Sequence, residues 1–428
     1  MVPTTMYDLA KFQALAIADR EVRVRLGRLD AQVRFGPDAS AVDLTIASGT
    51  VSSVEPASGP APDLVIAAPD AFWRSALVAR PGYGHASLTA GGATFQGDFA
   101  RFGAPFMPAW EKLLFLMRKA ACEAIEQHPA VPDRRETDDA VGRYAYVRNG
   151  KREARLFYEQ AGSGAVPLIL YPTAGADTRQ WRHLLTYPAL RERFTMVAMD
   201  PPGHGKSLMP LGEPWWEQTY SAGRDELMGW VTGLVEALQL DRPVFMGCSV
   251  GGQLALSLAA FRPEPFRAFV SMNGWLRSPP SMQSFDNWPY RDPATPLDYL
   301  MGRVIGTTSP IAPEDRRQET AWIYVSNAKG AYAGDNDYFM NAHDLARDGH
   351  LIDTSARPLF VLAGEFDRTS LSDEDGAIAV PKHVPGAQYR LLKDLGHFAP
   401  SDDPELLCEA LVPIMDEVLA ACDAVEVR

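Results

Sequence analysis

The chain has 428 residues, of which 46% are hydrophobic and 22% charged, as in ordinary globular proteins. This length exceeds that of a typical single domain, so two domains are expected. The formal net charge of −13 lacks the basic footprint of proteins that bind nucleic acid or an anionic membrane, and we expect neither partner.

The cysteines and the N-terminal residues indicate the cellular compartment of the protein. Four scattered cysteines show no metal-ligand spacing and fit a reduced compartment: Cys122, Cys248, Cys408 and Cys422. Residues 1–8 lack the basic start and apolar core of a signal peptide. No uncharged apolar run approaches the roughly 20 residues that span a bilayer. The sequence therefore predicts a soluble, cytoplasmic protein.

Residues 1–127 have the pattern of a small α+β domain. A helix over 7–17 precedes an alternating strand over 29–35. Two further strands, 42–47 and 50–54, are joined at Ser48-Gly49, which is typical of a tight hairpin. A strand over 63–68, a helix from residue 71, a last strand over 93–98 and a long helix complete the predicted domain.

This order of elements resembles the sterol-carrier-protein-2-like domains, some of which enclose an apolar tunnel for acyl or sterol-like ligands. Aromatic residues would either line such a tunnel or fill an ordinary core, and their spacing favours the core. They are Phe72, Trp73, Phe95, Phe102, Phe106 and Trp110. Two roles stay open for the domain: presenting substrate and assembling a homodimer.

Residues 128–141 are polar, charged and broken by prolines, which is typical of a linker between domains. From residue 142 to 428, strands alternate with helices. A strand pair over 144–147 and 154–159 is followed by continuous apolar strands at 166–171, 194–200, 244–248, 268–272 and 359–363. This alternation predicts an α/β domain with a doubly wound, mostly parallel sheet.

One short pattern stands out in this second part. Gly247-Cys248-Ser249-Val250-Gly251 follows an apolar strand and precedes a helical segment. Such a strand, sharp turn and helix would expose Ser249 at the tip, with small neighbours that let strand and helix approach. On this turn the Cys248 side chain should face away from Ser249, so we expect it to serve packing.

With this turn in place, residues 142–428 resemble the α/β-hydrolase fold. Three further motifs support the resemblance in the correct chain order. They are Asp200-Pro201-Pro202-Gly203-His204-Gly205-Lys206-Ser207, Gly364-Glu365-Phe366-Asp367 and Asp394-Leu395-Gly396-His397-Phe398. The first matches the family's turn before the nucleophile strand, the second its acid turn and the third its histidine loop.

The resemblance implies a catalytic triad of Ser249, Asp367 and His397. A serine hydroxyl needs a base, histidine has the suitable pKa, and a carboxylate orients the imidazole. Glu365 is the near alternative to Asp367. Among the other histidines, His204 lies in a turn motif with a structural role. We expect no catalytic part for five more, which are His85, His128, His183, His350 and His383.

An oxyanion hole requires two backbone donors. The resemblance implies the N–H of Val250, directly after the nucleophile, as one of them. The second should come from the loop after Tyr171, where Pro172-Thr173 replaces the family's usual His-Gly pair. By position this donor is Ala174, with Thr173 as the alternative.

About 85 residues separate the strands that end near Met272 and begin near Leu359, far more than a crossover needs. We therefore expect an inserted cap at about 275–352. Its many aromatic residues favour a hydrophobic or aromatic substrate, with Thr173, Trp275, Trp288 and His343 as candidate contacts. Asp335 is a further candidate contact, and Trp215 and Trp216 are candidates for the border of the entrance.

Three functions follow as hypotheses. The first is a serine hydrolase that cleaves a carboxylic ester or lactone through an acyl-enzyme, with no metal or organic cofactor. The second uses the same triad on a carbon–carbon bond or for acyl transfer. The third is a lipid-binding protein with a vestigial hydrolase fold, which an intact triad disfavours.

Overall fold

A computed structural model describes residues 6–81, 86–122, 137, 139–278, 287–367 and 369–426. The chain forms two compact units. Met1–Pro129 and Asp292–Val325 make the first unit, and Ala130–Arg291 and Ser326–Arg428 make the second. None of the described helices combines the length and the apolar character that crossing a membrane requires.

The first unit contains a five-stranded sheet. Its strands are β1 Ala31–Phe35, β2 Val42–Ala47, β3 Thr50–Pro56, β4 Leu64–Ala67 and β5 Thr94–Gly97, in the order β3-β2-β1-β4-β5. Strands β1 and β4 run parallel, and the other neighbouring pairs are antiparallel. The predicted hairpin forms because Ser48 and Gly49 both adopt positive φ angles, of 46° and 75°, as a tight two-residue turn requires.

Helices complete the first unit. They are α1 Leu9–Ala18, α2 Arg20–Leu26, α3 Asp70–Ala76, α4 Leu88–Gly91, α5 Met107–Ala121, α10 Leu297–Thr307 and α11 Glu314–Val325. Asp8 and Asp19 begin α1 and α2 by accepting backbone N–H groups with their side chains. The predicted aromatic residues lie in the core, where Trp73 and Trp110 are completely buried.

Helices α10 and α11 come from the segment predicted as a cap. They belong instead to the first unit, so the expected cap at about 275–352 is divided between the two units. The reason is complementary packing with α5: a Cβ on Gly302 would lie 2.4 Å from Met107 Cγ, so only glycine permits this approach. Gln318 also donates a hydrogen bond of 2.9 Å to Glu21 of α2.

The second unit contains an eight-stranded sheet. Its strands are β6 Val141–Asn149, β7 Arg152–Ala161, β8 Val166–Tyr171, β9 Phe194–Met199, β10 Val244–Cys248, β11 Ala268–Met272, β12 Leu359–Gly364 and β13 Gln388–Leu392. The strand order is β13-β12-β11-β10-β8-β9-β7-β6. Strands β8 to β13 are parallel, and β6 and β7 add an antiparallel edge. The predicted doubly wound, mostly parallel sheet is confirmed.

Two hydrophobic cores lie on the two faces of this sheet. Ile169 and Phe245 belong to one core, whereas their strand neighbours Leu170 and Met246 belong to the other. This alternation follows from the two-residue period of a strand, and burial on both faces explains why the strands read as continuous apolar runs.

Helices connect the strands of the second unit. They are α6 Arg182–Leu185, α7 Pro188–Arg193, α8 Arg224–Ala237, α9 Val250–Phe261, α12 Ala331–Asn341, α13 Leu345–Asp348, α14 Val380–His383, α15 Ala399–Asp402 and α16 Pro404–Glu426. The predicted linker over 128–141 lies mostly outside the described residues. Its last residue, Val141, already belongs to strand β6.

Candidate active site

Ser249 lies on a strained turn between β10 and α9. Its φ and ψ are 56° and −115°, a conformation that L residues rarely adopt and that is typical of a nucleophile on a sharp strand-to-helix turn. The flanking glycines are needed for space: a Cβ on Gly251 would lie 2.6 Å from the Tyr171 carbonyl oxygen, and one on Gly252 would lie 2.4 Å from that of Met272.

His397 connects Ser249 with a carboxylate. Its Nε2 lies 2.9 Å from Ser249 Oγ, and its Nδ1 lies 2.9 Å from Asp367 Oδ2. Because a carboxylate accepts, the Nδ1 proton faces Asp367, which leaves Nε2 to accept the serine proton. The structure thus brings together all three predicted triad residues, which follow β10, β12 and β13 at one edge of the sheet.

Asp367 is held as a charged acceptor. Its side chain is buried, and burial alone would raise the pKa of the carboxyl. His397 and hydrogen bonds from Ser370 and Thr369 outweigh burial, so the pKa of Asp367 lies below its ordinary value. Glu365, the alternative acid, instead accepts the backbone N–H of Asp394 at 2.9 Å. It supports the loop that precedes the histidine.

Asn273 is a residue that the sequence did not single out. It follows β11, and its Nδ2 donates to the carbonyl oxygens of Gly396 at 3.1 Å and His397 at 3.0 Å. Its Oδ1 accepts the N–H of Gly364 at 2.8 Å. One side chain therefore joins the loop that carries the acid to the loop that carries the histidine.

The Cys248 thiol is bound to the histidine loop. The side chain is fully buried and its Sγ donates a hydrogen bond of 3.4 Å to the carbonyl oxygen of His397. Burial raises the pKa of the Cys248 thiol well above its ordinary value, which keeps it uncharged. The prediction that Cys248 serves packing agrees with this placement.

Two backbone N–H groups are the candidates for the oxyanion hole. Val250 is the first residue of α9, where N–H groups have no acceptor within the helix. Strand pairing sets Tyr171 opposite Gly247, so the loop after β8 runs next to the serine turn. In that loop the Thr173 N–H is taken by Gln180 Oε1 at 2.9 Å. The Ala174 N–H has no acceptor among the described residues, which favours Ala174 over Thr173.

Comparison with known proteins identifies the family. A family model described as the alpha/beta hydrolase fold matches residues 166–404, which is more than half of the chain. The chain belongs to the alpha/beta hydrolase fold family. The protein is therefore an enzyme, a hydrolase.

Individual relatives of this hydrolase are distant. An acetyltransferase component of an acetoin cleaving system from Pseudomonas putida, named for dihydrolipoyllysine residues, is 32% identical over 108 residues, 25% of this chain and only 26% of that protein. The 2-hydroxy-6-oxononadienedioate/2-hydroxy-6-oxononatrienedioate hydrolase of Cupriavidus pinatubonensis is 22% identical over 274 residues, 61% of this chain and 91% of that protein.

A solved structure gives the same fold. The enol-lactonase from Burkholderia xenovorans LB400 is similar to this hydrolase with a TM-score of 0.53 and 22% identity. The match covers 65% of this chain and 100% of that chain. At this identity the likeness shows the fold alone. These matches do not show the sterol-carrier resemblance of the first unit.

The predicted substrate contacts of the hydrolase lie in different settings. Thr173 is buried in the loop that carries Ala174. Trp275 is buried against Phe339, with the ring centroids 5.1 Å apart. Trp288 lies at the surface and is 61% exposed.

His343 is committed to the fold. Its Nε2 lies 2.8 Å from the Trp275 carbonyl oxygen, and its Nδ1 lies 3.3 Å from Ser257 Oγ. Burial lowers the pKa of His343 to about 4, so the ring is neutral. Both ring nitrogens are thus bound within the protein, and neither is left for the substrate contact that the sequence predicted.

The remaining histidines also take structural or peripheral positions. His204 is buried and bound to Asp335, a residue that the sequence offered as a substrate contact. His350 and His383 are exposed, and His183 is half-buried. The remaining two, His85 and His128, lie outside the described residues.

Proposed function

We propose that this hydrolase cleaves a carboxylic ester or lactone of a hydrophobic substrate through an acyl-enzyme intermediate. The observation that carries the proposal is the hydrogen-bonded series from Ser249 through His397 to Asp367. It ends at a serine on a strained turn, next to two backbone N–H groups that suit an oxyanion.

The reaction follows from this geometry. Ser249 Oγ attacks the substrate carbonyl carbon while His397 Nε2 takes the serine proton. The carbonyl oxygen becomes negative and is bound by the N–H groups of Val250 and Ala174, a contribution of about 10²–10³ in rate for each such donor. Asp367 stabilises the imidazolium.

Two proton transfers complete the cycle. His397 gives its proton to the leaving oxygen, the carbon–oxygen bond breaks and an acyl-serine remains. Water then loses a proton to His397 and attacks the acyl carbon, and the acid leaves as Ser249 regains its proton. The residues needed for each transfer are those in the series, and neither a metal nor an organic cofactor enters the cycle.

A panel of aryl esters and lactones tests the proposal. We expect turnover by the wild type and its loss in Ser249→Ala. Ser271→Ala is a matched control, since the buried Ser271 hydroxyl has no hydrogen-bond partner among the described residues. Wild-type protein that hydrolyses none of these substrates, yet is folded, would refute the proposal.

Cleavage of a carbon–carbon bond is the second candidate. It is favoured by the similarity to the 2-hydroxy-6-oxononadienedioate hydrolase, which spans 91% of that protein. The same serine would attack a ketone carbonyl of a vinylogous diketone acid, and a carbanion would leave in place of an alkoxide. Much faster cleavage of such an acid than of any ester would establish this reaction, or acyl transfer if an added alcohol captures the acyl group.

We also infer that the first unit is related to the sterol-carrier-protein-2-like domains, on the basis of its five-stranded sheet, its early tryptophan helix α3 and its closing helix α5. Trp73 and Trp110 fill the core, so ligand presentation is not its expected role. Saturable binding of a fluorescent fatty acid by the full chain that Ser249→Ala leaves intact would instead support presentation, or the third hypothesis if turnover is absent.

A further inference from the structure

A buried carboxylate lies behind the loop that carries Ala174. Asp335, on helix α12, is 3% exposed and accepts three hydrogen bonds. The Gly175 N–H donates to Oδ2 at 2.7 Å, the Tyr220 hydroxyl donates to Oδ1 at 2.7 Å, and His204 Nε2 lies 3.0 Å from Oδ2. Three separate parts of the second unit thus converge on one side chain.

The partners of His204 give it a positive charge. Its Nε2 faces the Asp335 carboxylate, and its Nδ1 lies 3.0 Å from the Pro202 carbonyl oxygen. Both neighbours are acceptors, so both ring nitrogens carry protons. Burial disfavours the imidazolium, but Asp335 and the Pro202 carbonyl outweigh it and raise the pKa of His204 to about 9.

Gly175 is fixed by hydrogen bonds at its N–H and carbonyl groups and by close packing. Its N–H is bound by Asp335, and its carbonyl oxygen accepts from Asn327 Nδ2 at 2.9 Å. Its φ is 69°, and a Cβ would lie 2.8 Å from Tyr332 Cα, so no other residue fits without movement. Asn327 Oδ1 also accepts the Gly205 N–H at 2.7 Å, which ties this contact to the turn that carries His204.

This arrangement leaves one N–H group of the loop unbound. Of the three successive groups in the loop, that of Thr173 is bound by Gln180 and that of Gly175 by Asp335. Only the Ala174 N–H is left without an acceptor among the described residues. An oxyanion hole needs its donors fixed before the charge develops, because a donor that must reorient contributes less.

We propose that Asp335 and His204 are positioning residues for the oxyanion hole. They form a buried ion pair with no net charge, which fixes Gly175 and thereby aims the Ala174 N–H at the reacting carbonyl. The pair rests on the proposed function, since it acts on the same acyl transfer. Neither residue touches the substrate.

The opposite charges have separate tasks. Asp335 fixes the loop, but an uncompensated carboxylate one residue from an oxyanion donor would oppose the negative charge of the transition state. His204 cancels that charge. The pair is therefore expected to be coupled, so that loss of His204 alone is worse than loss of both charges.

The kinetics of aryl-ester hydrolysis by the full-length enzyme test this coupling. A fluorophosphonate probe measures the fraction of active sites in each sample. His204→Gln keeps a donor toward Asp335 but leaves the carboxylate uncompensated, and we expect kcat per active site to fall about 100-fold with KM changed less than about threefold. The double variant His204→Gln/Asp335→Asn should recover at least about tenfold of that loss. His383→Gln, at an exposed site, is the control for replacing a histidine with glutamine elsewhere in the chain.

A second measurement separates positioning from folding. A trifluoromethyl ketone forms an oxyanion adduct with the serine, and we expect it to bind about 100-fold more weakly to His204→Gln, while a neutral amide analogue binds as before. If His204→Gln does not fold, Tyr220→Phe removes one hydrogen bond to Asp335 and should lower kcat about threefold to tenfold with KM unchanged.

The outcomes are distinct. Wild-type enzyme that neither turns over the ester nor reacts with the probe would overturn the proposed function itself. Turnover and labelling in the wild type, with kcat and ketone affinity unchanged within about twofold in His204→Gln and Tyr220→Phe, would overturn the positioning pair alone. Equal losses in His204→Gln and in the double variant would also overturn it, because they would show no charge coupling.

Discussion

Replacement of Asn273 measures how much the active site depends on one side chain that joins two loops. Its amide makes three hydrogen bonds, to Gly364, Gly396 and His397. Its φ is 51°, a left-handed conformation that asparagine tolerates better than most residues and glycine adopts freely. Asn273→Gly therefore removes the amide without adding backbone strain.

The magnitude follows from the groups that lose their partners. The Gly364 N–H and the Gly396 carbonyl oxygen lose their partner, whereas the His397 carbonyl oxygen keeps the Cys248 thiol. Each buried backbone group left without a hydrogen bond costs about 1–3 kcal/mol, so Asn273→Gly should lower the free energy of unfolding by about 2–6 kcal/mol. The loops of Asp367 and His397 would also shift relative to Ser249. A misplacement of about 1 Å costs on the order of 100-fold in rate, and we expect that loss in kcat.

Asn273→Asp distinguishes the two ends of the amide. It keeps an acceptor for the Gly364 N–H but sets a carboxylate against the carbonyl oxygens of Gly396 and His397. We expect it to be no more stable than Asn273→Gly, since a carboxylate and the partially negative carbonyl oxygens repel each other. Gln239→Gly is the matched control, because Gln239 is exposed and has a φ of 52° but lies outside the site.

Urea unfolding followed by tryptophan fluorescence gives the stabilities, and aryl-ester kinetics corrected for labelled sites give kcat. The reasoning about Asn273 would be refuted by Asn273→Gly protein whose unfolding free energy lies within about 1 kcal/mol of wild type and whose kcat lies within about twofold. A loss of the same size in Gln239→Gly would show that glycine itself, not the missing amide, is responsible.

Two further predictions concern charged pairs. Asp367→Asn replaces the carboxylate that accepts from His397 with an amide, which favours the wrong tautomer of the imidazole. We expect kcat, measured by ester kinetics, to fall about 10⁴-fold, and the circular dichroism spectrum to show that the fold is kept. The raised pKa of His204, from 6.5 to about 9, stabilises the fold below pH 6.5 by on the order of 3 kcal/mol, and this is lost as pH rises through about 9. Besides Asp335, Asp177 and Tyr220 face this ring. We expect the urea unfolding midpoints at pH 7 and pH 10 to differ less in Asp335→Asn than in the wild type.

The sequence predicted the triad because short motifs mark it. Ser249 lies between glycines after an apolar strand, and the acid and histidine follow later strands in chain order. Parallel strands deliver such residues to one edge of a sheet, so the order alone implies that they meet. The choice of Asp367 over Glu365 also followed from the motif, and the hydrogen bonds agree with it.

No short motif in the sequence indicates the contacts between distant segments. Asn273 binds a residue 123 positions away, and Asp335 binds His204 across 131 positions. A lone asparagine after a strand, or an aspartate on a helix, does not reveal its partner. The predicted extent of the cap differs from the structure for the same reason, because packing against α5, and not local pattern, determines where α10 and α11 lie.

The identity of the nucleophile is tested most directly by the mass of the fluorophosphonate-treated protein. We expect one added phosphonyl group per chain, located by peptide mapping on the peptide that contains Ser249. Ser249→Ala should gain no mass, and Ser271→Ala should be labelled like the wild type. Labelling of Ser249→Ala at the wild-type rate, or wild-type protein that hydrolyses esters with no adduct on Ser249, would contradict its assignment as the nucleophile.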